Sequence, residues 1–198
     1  MNRHEGKNSI SNMESESNES DINIERIQES LGFSEADLIG RATLELGAGS
    51  ATLARYYENN NDVNITSLDL EDDQLKGVKN AVQADAMKLP FKDESFDFIL
   101  ELGGPSGLGG SLDNTTTILK EMKRVLRSDG EIRIGRGYLS PTILEDPGDN
   151  LSLEDRKRHF REQSKKLIES IGFNVEEVDT GDGVYDFYYR IIKKPESE

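Results

Sequence analysis

Three short stretches of this 198-residue chain carry residues suited to holding a polar ligand. The first is Gly47-Ala-Gly49, preceded by Glu45, where a run of strand-forming residues ends and a helical pattern begins. Gly47 permits a tight turn, and Gly49 lets a ligand approach the backbone with no side chain in the way. Backbone N–H groups at a helix start favour an anionic or polar group. The second is Asp69, which closes the next strand 18 residues after Ala51. A carboxylate there can accept both hydroxyl hydrogens of a ribose. The third is Asp85, in Gln83-Ala-Asp-Ala-Met-Lys-Leu-Pro-Phe91 after a further short strand. Tight turns alone would account for either glycine, and strand-end turns for either aspartate. It is the set, at successive strand ends, that points to one ligand crevice.

A second glycine-rich run, Glu101–Ser111, holds five glycines and a proline but follows a later strand. It offers little side-chain chemistry. Glu101 is the nearest candidate for a general base. It reads equally as a strand-end polar residue that contacts a loop backbone. Tyr138, in Gly135-Arg-Gly-Tyr-Leu139, is a second candidate pocket residue, or a tyrosine packed under its own loop. Arg136 fits an acidic substrate or a surface ion pair. The chain has no cysteine and two histidines, His4 and His159. Disulfides, thiolate metal sites and cysteine nucleophiles are therefore excluded, and no metal site is expected.

The elements that must position these residues alternate. After a Ser-, Asn- and Glu-rich stretch over residues 1–21, which is expected to be a disordered acidic tail, Ile24, Ile27 and Leu31 recur at helical spacing. Gly32 ends that helix, and Ser34 caps a short turn over Glu35–Ile39. Strands are expected at Arg41–Leu46, Val63–Asp69, Ala81–Ala84, Phe96–Leu100 and Glu131–Ile134. Helices are expected at Ser50–Glu58, Asp113–Leu126 and Leu153–Ile171, with at most a short one at Asp72–Gly77. Phe173–Val178 and Val184–Ile192 flank a hairpin turn at Asp179–Gly183. This alternation predicts an α/β fold: a Rossmann-like, mainly parallel twisted sheet with helices on both faces and a C-terminal antiparallel hairpin. One domain is expected over residues 22–198.

The combined motifs resemble the class I S-adenosylmethionine-dependent methyltransferases, in the group of ubiquinone- and menaquinone-biosynthesis-type enzymes. Glu45-Leu-Gly-Ala-Gly49 is similar to the first motif of that family, and Ser67-Leu-Asp-Leu70 to its second-strand acidic motif. Ala84-Asp-Ala-Met-Lys-Leu-Pro-Phe-Lys-Asp-Glu-Ser-Phe-Asp97 is similar to its third motif and the entry to its fourth strand. Glu121-Met-Lys-Arg-Val-Leu-Arg-Ser-Asp-Gly130 is similar to the helix and turn before its fifth strand. The resemblance covers about residues 41–136. It implies S-adenosylmethionine as cofactor. Glu45, Gly47, Ala48 and Gly49 would hold the methionine portion, Asp69 the ribose, and Leu70 the adenine face. Asp85 would take the adenine amino group, with Ala86 beside it. Residues 22–39 correspond to the lid region of the family, and Glu101–Ser111 to the acceptor side of its pocket. Two departures stand out. Ala51 replaces the third glycine, and the segment between Asp69 and Asp85 is short.

Composition narrows the partners. With 39 acidic against 24 Lys and Arg residues, the net charge is −15. Such a surface repels nucleic-acid phosphates and anionic lipid headgroups, so a small-molecule acceptor is expected. The densest basic run, Arg156-Lys-Arg-His-Phe-Arg161, reads as a solvated helix face paired with Glu154, Asp155 and Glu162. No apolar run spans a membrane and no signal peptide is evident, so a cytoplasmic location is expected. Two other readings remain open: a non-catalytic nucleoside-binding or interaction module on the same fold, and a nicotinamide-dependent oxidoreductase.

Overall fold

The computed structural model describes residues 24–105, 111–135, 151–181 and 187–194. Seven strands form one sheet: β1 (Ala42–Leu46), β2 (Asn64–Asp69), β3 (Ala81–Gln83), β4 (Phe96–Leu102), β5 (Leu126–Gly135), β6 (Phe173–Asp179) and β7 (Phe187–Lys193). The order is β3-β2-β1-β4-β5-β7-β6. Strands β1 to β5 run parallel, and β7 pairs antiparallel with both β5 and β6. The helices are α1 (24–31), α2 (Thr52–Tyr56), α3 (Leu112–Val125) and α4 (Leu153–Ser170).

Side-chain alternation along each strand sorts residues between two core layers. On one side Leu44, Leu46, Ile99, Ile132 and Ile134 pack with Ile118, Leu119, Met122 and Val125 of α3 and Ile168 of α4. On the other, Phe98 and Leu100 pack with Ile24 and Leu31 of α1, Phe33, Leu38, and Leu53 and Tyr57 near α2. At about 25 cal/mol per Å² of apolar surface removed from water, these layers supply the main driving force for the fold. Segment 24–38 therefore belongs to the core.

Charged residues on the sheet are held at defined points. Asp97 is one of two acidic residues in β4, with Glu101. Its Oδ2 accepts the N–H of Ala42 at 2.8 Å, and Oδ1 pairs with Arg127. Burial pushes this carboxyl up, but the Ala42 N–H and Arg127 more than offset that and hold it below its usual value. Arg133, on the α1 side of β5, donates to the carbonyls of Leu31 and Gly32 at the end of α1 and pairs with Glu131. Its guanidinium also lies 5.1 Å from the Phe98 ring centroid.

Two elements differ from expectation. Helix α2 is five residues long rather than nine, because Ala51 before it is left-handed (φ +52°, ψ +43°). A buried alanine thus takes the conformation that glycine adopts most readily. Leu126, expected to end a helix, turns extended (ψ +135°) and opens β5. The pairing of β4 with β5 slips between Phe96 and Phe98, and the expected Asp129-Gly130 turn falls inside that irregularity. Only a 3₁₀ turn, Asp73–Leu75, links β2 to β3.

On α4 the expected ion pairs form from Lys157 to Glu154 and from Arg158 to Asp155, while Arg161 reaches across to Glu177 on β6. No helix among the described residues is long and apolar enough to cross a membrane. No group of three or more metal-ligating side chains occurs among them.

Candidate functional site

The strand order reverses between β1 and β4, and the crevice outside the carboxyl ends of the parallel strands opens there. A cavity of about 450 Å³ fills it. Four of the parallel strands contribute residues at or just past their ends. These are Ala84–Met87 after β3, Asp69 and Leu70 from β2, Gly47 and Gly49 after β1, and Gly103–Pro105 after β4; α3 adds Asn114 and Ile118. The volume lies within the roughly 300–1,000 Å³ typical of small-molecule sites.

Asp69 is fixed by the backbone it faces. Its Oδ2 accepts the Gly49 N–H at 2.8 Å and its Oδ1 the Glu71 N–H at 3.0 Å. These bonds tie the first glycine loop to the end of β2. A carboxylate has about four acceptor positions, so two remain for a ligand's hydroxyls. Asp85 accepts the Met87 N–H through Oδ1 at 2.8 Å, which curls the chain and places Ala86 and Met87 on the cavity wall. Leu70 is 67% exposed and Met87 37% exposed, although both are large and apolar. Two such side chains at one cavity suit a flat apolar ring.

The wall that bears Asp85 is clamped from α3. Arg124 donates to the carbonyls of Leu89 and Phe91 and to the carboxylates of Glu121 and Asp93, while Glu121 accepts the Leu89 N–H. The Arg124 bonds to Glu121 come first among the causes that hold the Glu121 carboxyl below its usual value. Phe96 is buried and meets Phe91 edge-on at 4.9 Å between ring centroids, both serving the core.

Glu45 and Ala48 sit apart from this cavity. Glu45 alternates with Leu44 and Leu46, so it faces the α1 and α2 layer and lines a second cavity of about 100 Å³ with Ala48, Thr52, Ile27 and Leu31. Its carboxylate accepts the Ser67 hydroxyl at 2.7 Å and the N–H groups of Leu53 and Ala54. Burial pushes this carboxyl up to about 7, against the lowering effect of those donors. The N–H groups expected to greet a ligand at the start of α2 are therefore taken by Glu45, and the Gly49 N–H by Asp69. Glu101 is buried beneath the loop after β4. Tyr138 and Arg136 lie outside the described residues. Sequence reasoning missed Met87, Asn114 and Ile118. Met87 stands two residues after Asp85, within the same motif, and that was the available signal.

Residues 44–134 match the family model described as "Methyltransferase domain". Just under half of the chain is thus similar to a methyltransferase domain. The chain is 33% identical over 105 residues to a probable phthiotriol/phenolphthiotriol dimycocerosates methyltransferase of Mycobacterium ulcerans, covering 48% of this chain and 39% of that protein. The chain spans about two fifths of the length of the curated relatives it matches. Among solved structures, an S-adenosylmethionine-dependent methyltransferase from Bacteroides fragilis in complex with S-adenosyl-L-homocysteine superposes with a TM-score of 0.59 at 22% identity, over 80% of this chain and 75% of that one. The Haloferax volcanii complex between the Trm112 methyltransferase activator and a putative methyltransferase gives 0.60 at 12% identity, over 93% and 97%. At such identities these structures carry the fold, and the methyltransferase fold is the one the sequence predicts.

The residues around the larger cavity fit the cofactor of this family. Asp69 and Asp85 are acceptors for groups that donate, and Leu70 and Met87 offer apolar faces for a ring. At Gly47 a Cβ would stand 2.6 Å from Pro105 Cδ, so the loop closes only without a side chain there.

Proposed function

We propose that this chain transfers the methyl group of S-adenosylmethionine to a small-molecule acceptor. One observation carries the reading: the cavity at the sheet's reversal point gathers Gly47, Gly49, Asp69, Leu70, Asp85, Ala86 and Met87 from three successive strand ends. When bound, the cofactor would supply an electrophilic methyl on a cationic sulfur, open to in-line attack by an acceptor lone pair, with the S–C bonding electrons left on sulfur. The chain's part is to bind and orient. Asp69 accepts from ribose hydroxyls, Asp85 from the adenine amino group, and Leu70 and Met87 flank the base. Positioning of this kind can supply much of the acceleration, because the methyl arrives activated. Glu45 and Ala48 act from beneath, by holding the start of α2 and the loop above it.

The acid-rich surface supports a small acceptor over a nucleic acid. Calorimetry tests the reading. S-adenosylmethionine and S-adenosylhomocysteine are each expected to bind one to one, and Asp69→Ala to weaken both about tenfold or more, since hydrogen bonds to a charged acceptor contribute about 1.5–3 kcal/mol. Absence of binding by either nucleoside would refute it. Displacement by a nicotinamide dinucleotide would favour an oxidoreductase. Binding with no methyl transfer to any of a broad acceptor panel would favour a non-catalytic module.

A further inference from the structure

The sheet sets out the cavity in a line. Strand order places Asp85 at the end of β3, Asp69 at β2, Gly47 at β1 and Gly103–Pro105 at β4. A nucleoside whose base lies at Asp85 and whose ribose lies at Asp69 must extend its remaining atoms towards Gly47 and the loop after β4.

That loop is fixed by a three-layer stack. The Gly104 backbone lies directly on the Glu101 side chain, where a Cβ would stand 2.7 Å from Glu101 Cγ and 3.1 Å from its Oε1. The same Cβ would stand 2.8 Å from the Leu46 carbonyl oxygen. Above, the Gly104 Cα and Pro105 Cδ lie 3.0 and 2.6 Å from the Cβ position of Gly47. Glu101 alternates with Leu100 and Leu102, which pack in the α1 and α2 layer, so its side chain points to the opposite face, and it is 1% exposed. Glu101 is not among the residues that line the cavity, whereas Gly103, Gly104 and Pro105 are.

From this geometry we infer that Glu101 is a positioning residue, the support on which Gly103–Pro105 rest against Gly47, in the loop that the family resemblance assigns to the amino-acid end of the nucleoside. The inference deepens the proposed function and rests on it. A carboxyl sealed under Gly104 has no path to an acceptor, so it removes no proton from one. Its length and shape set the height of the loop, and the absence of side chains at Gly47 and Gly104 lets the two loops touch. A displacement of the loop after β4 moves its wall first; Asp85 and Met87 are held from the α3-clamped segment, and Asp69 ends β2, although the Gly49 N–H ties it to the first glycine loop.

The test compares two probes, S-adenosylhomocysteine and adenosine, by calorimetry on the full chain. Adenosine reports the base and ribose end alone. Gly104→Ala and Glu101→Ala are expected to weaken S-adenosylhomocysteine at least tenfold and to change adenosine less than twofold. Glu101→Gln keeps the shape and is expected to restore S-adenosylhomocysteine binding to within about threefold of the parent. Equal losses for both probes in the alanine variants would overturn the inference, since that is the signature of general damage to the fold. So would unchanged binding of both. If the alanine variants do not fold, Glu101→Gln decides alone, because a tenfold loss there shows that the charge and not the support matters. Failure of the parent protein to bind S-adenosylhomocysteine would instead refute the methyltransferase reading itself.

Discussion

At the scale of single residues, Glu45 is the group whose environment differs most from what its motif suggests. Burial raises its carboxyl from 4.5 to about 7. The folded state therefore holds this proton more tightly than the unfolded chain does. The stability this gives is complete below about pH 4.5 and is lost as the pH rises through about 7. At about 1.4 kcal/mol per pH unit the loss reaches at most about 3 kcal/mol. Glu45→Gln has no such proton to lose. Urea unfolding between pH 5 and pH 8 is expected to show the parent protein falling relative to this variant as the pH rises, and parallel curves would show that Glu45 is not the titrating group. The position of Glu45 was half legible in the sequence. Alternation with Leu44 and Leu46 puts it on the face opposite those leucines, but which face carries α2 depends on packing that no local pattern encodes.

At the scale of elements, the segment from Ala84 to Glu94 has no regular structure, and its shape comes from α3. Arg124 alone bonds two backbone carbonyls and two carboxylates there. Arg124→Ala removes these together and leaves Glu121 with a partly buried charge. It is expected to cost about 2 kcal/mol, a fall in Tm of about 4–8 °C for a chain of this size, and to expose the segment to protease. Arg124→Lys is expected to recover little, because a single ammonium cannot reproduce the planar fork. Thermal denaturation with limited proteolysis checks both. Helix α2 teaches a different lesson. Its apolar spacing reads as a nine-residue helix, yet Ala51 in the left-handed region starts it late and Tyr57 leaves it early. Spacing reports which side chains face the core. It does not report where the backbone of a buried loop is forced to turn.

At the scale of the whole molecule, charge is the dominant feature. The chain carries a net −15, and about −12 of this falls outside residues 1–21, so the body repels itself as well as other anions. Raising NaCl from 0.05 to 0.5 M shortens the Debye length from above 10 Å to well below it. Tm is expected to rise by about 2–4 °C for each ~1 kcal/mol of repulsion screened. A flat or falling Tm across that range would show that local ion pairs, such as Arg127 with Asp97, outweigh the net charge. Basic side chains do gather in one groove, where Lys120, Lys123, Lys193 and Lys194 lie near the ends of α3, α4 and β7. Two of these lysines donate to backbone carbonyls at the end of α4, Lys123 to Ile171 and Lys194 to Glu169, which is ordinary helix C-terminal capping.

The sequence by itself determined the alternation of strands and helices, the glycines and aspartates at the strand ends, and the polarity of the surface. Each of these depends on residue type at short spacing: period two in strands, period near 3.6 in helices, and conformational freedom at Gly47. Tertiary structure alone decided which of those residues meet. The order in which strands lie side by side put Gly103–Pro105 next to Gly47, although 56 or more positions separate them in the chain. It turned Glu101 from a candidate base into the floor of a loop and moved Glu45 beneath α2. Contacts of that range arise only when two core layers close on a sheet, and no local stretch of sequence carries the geometry of that closure.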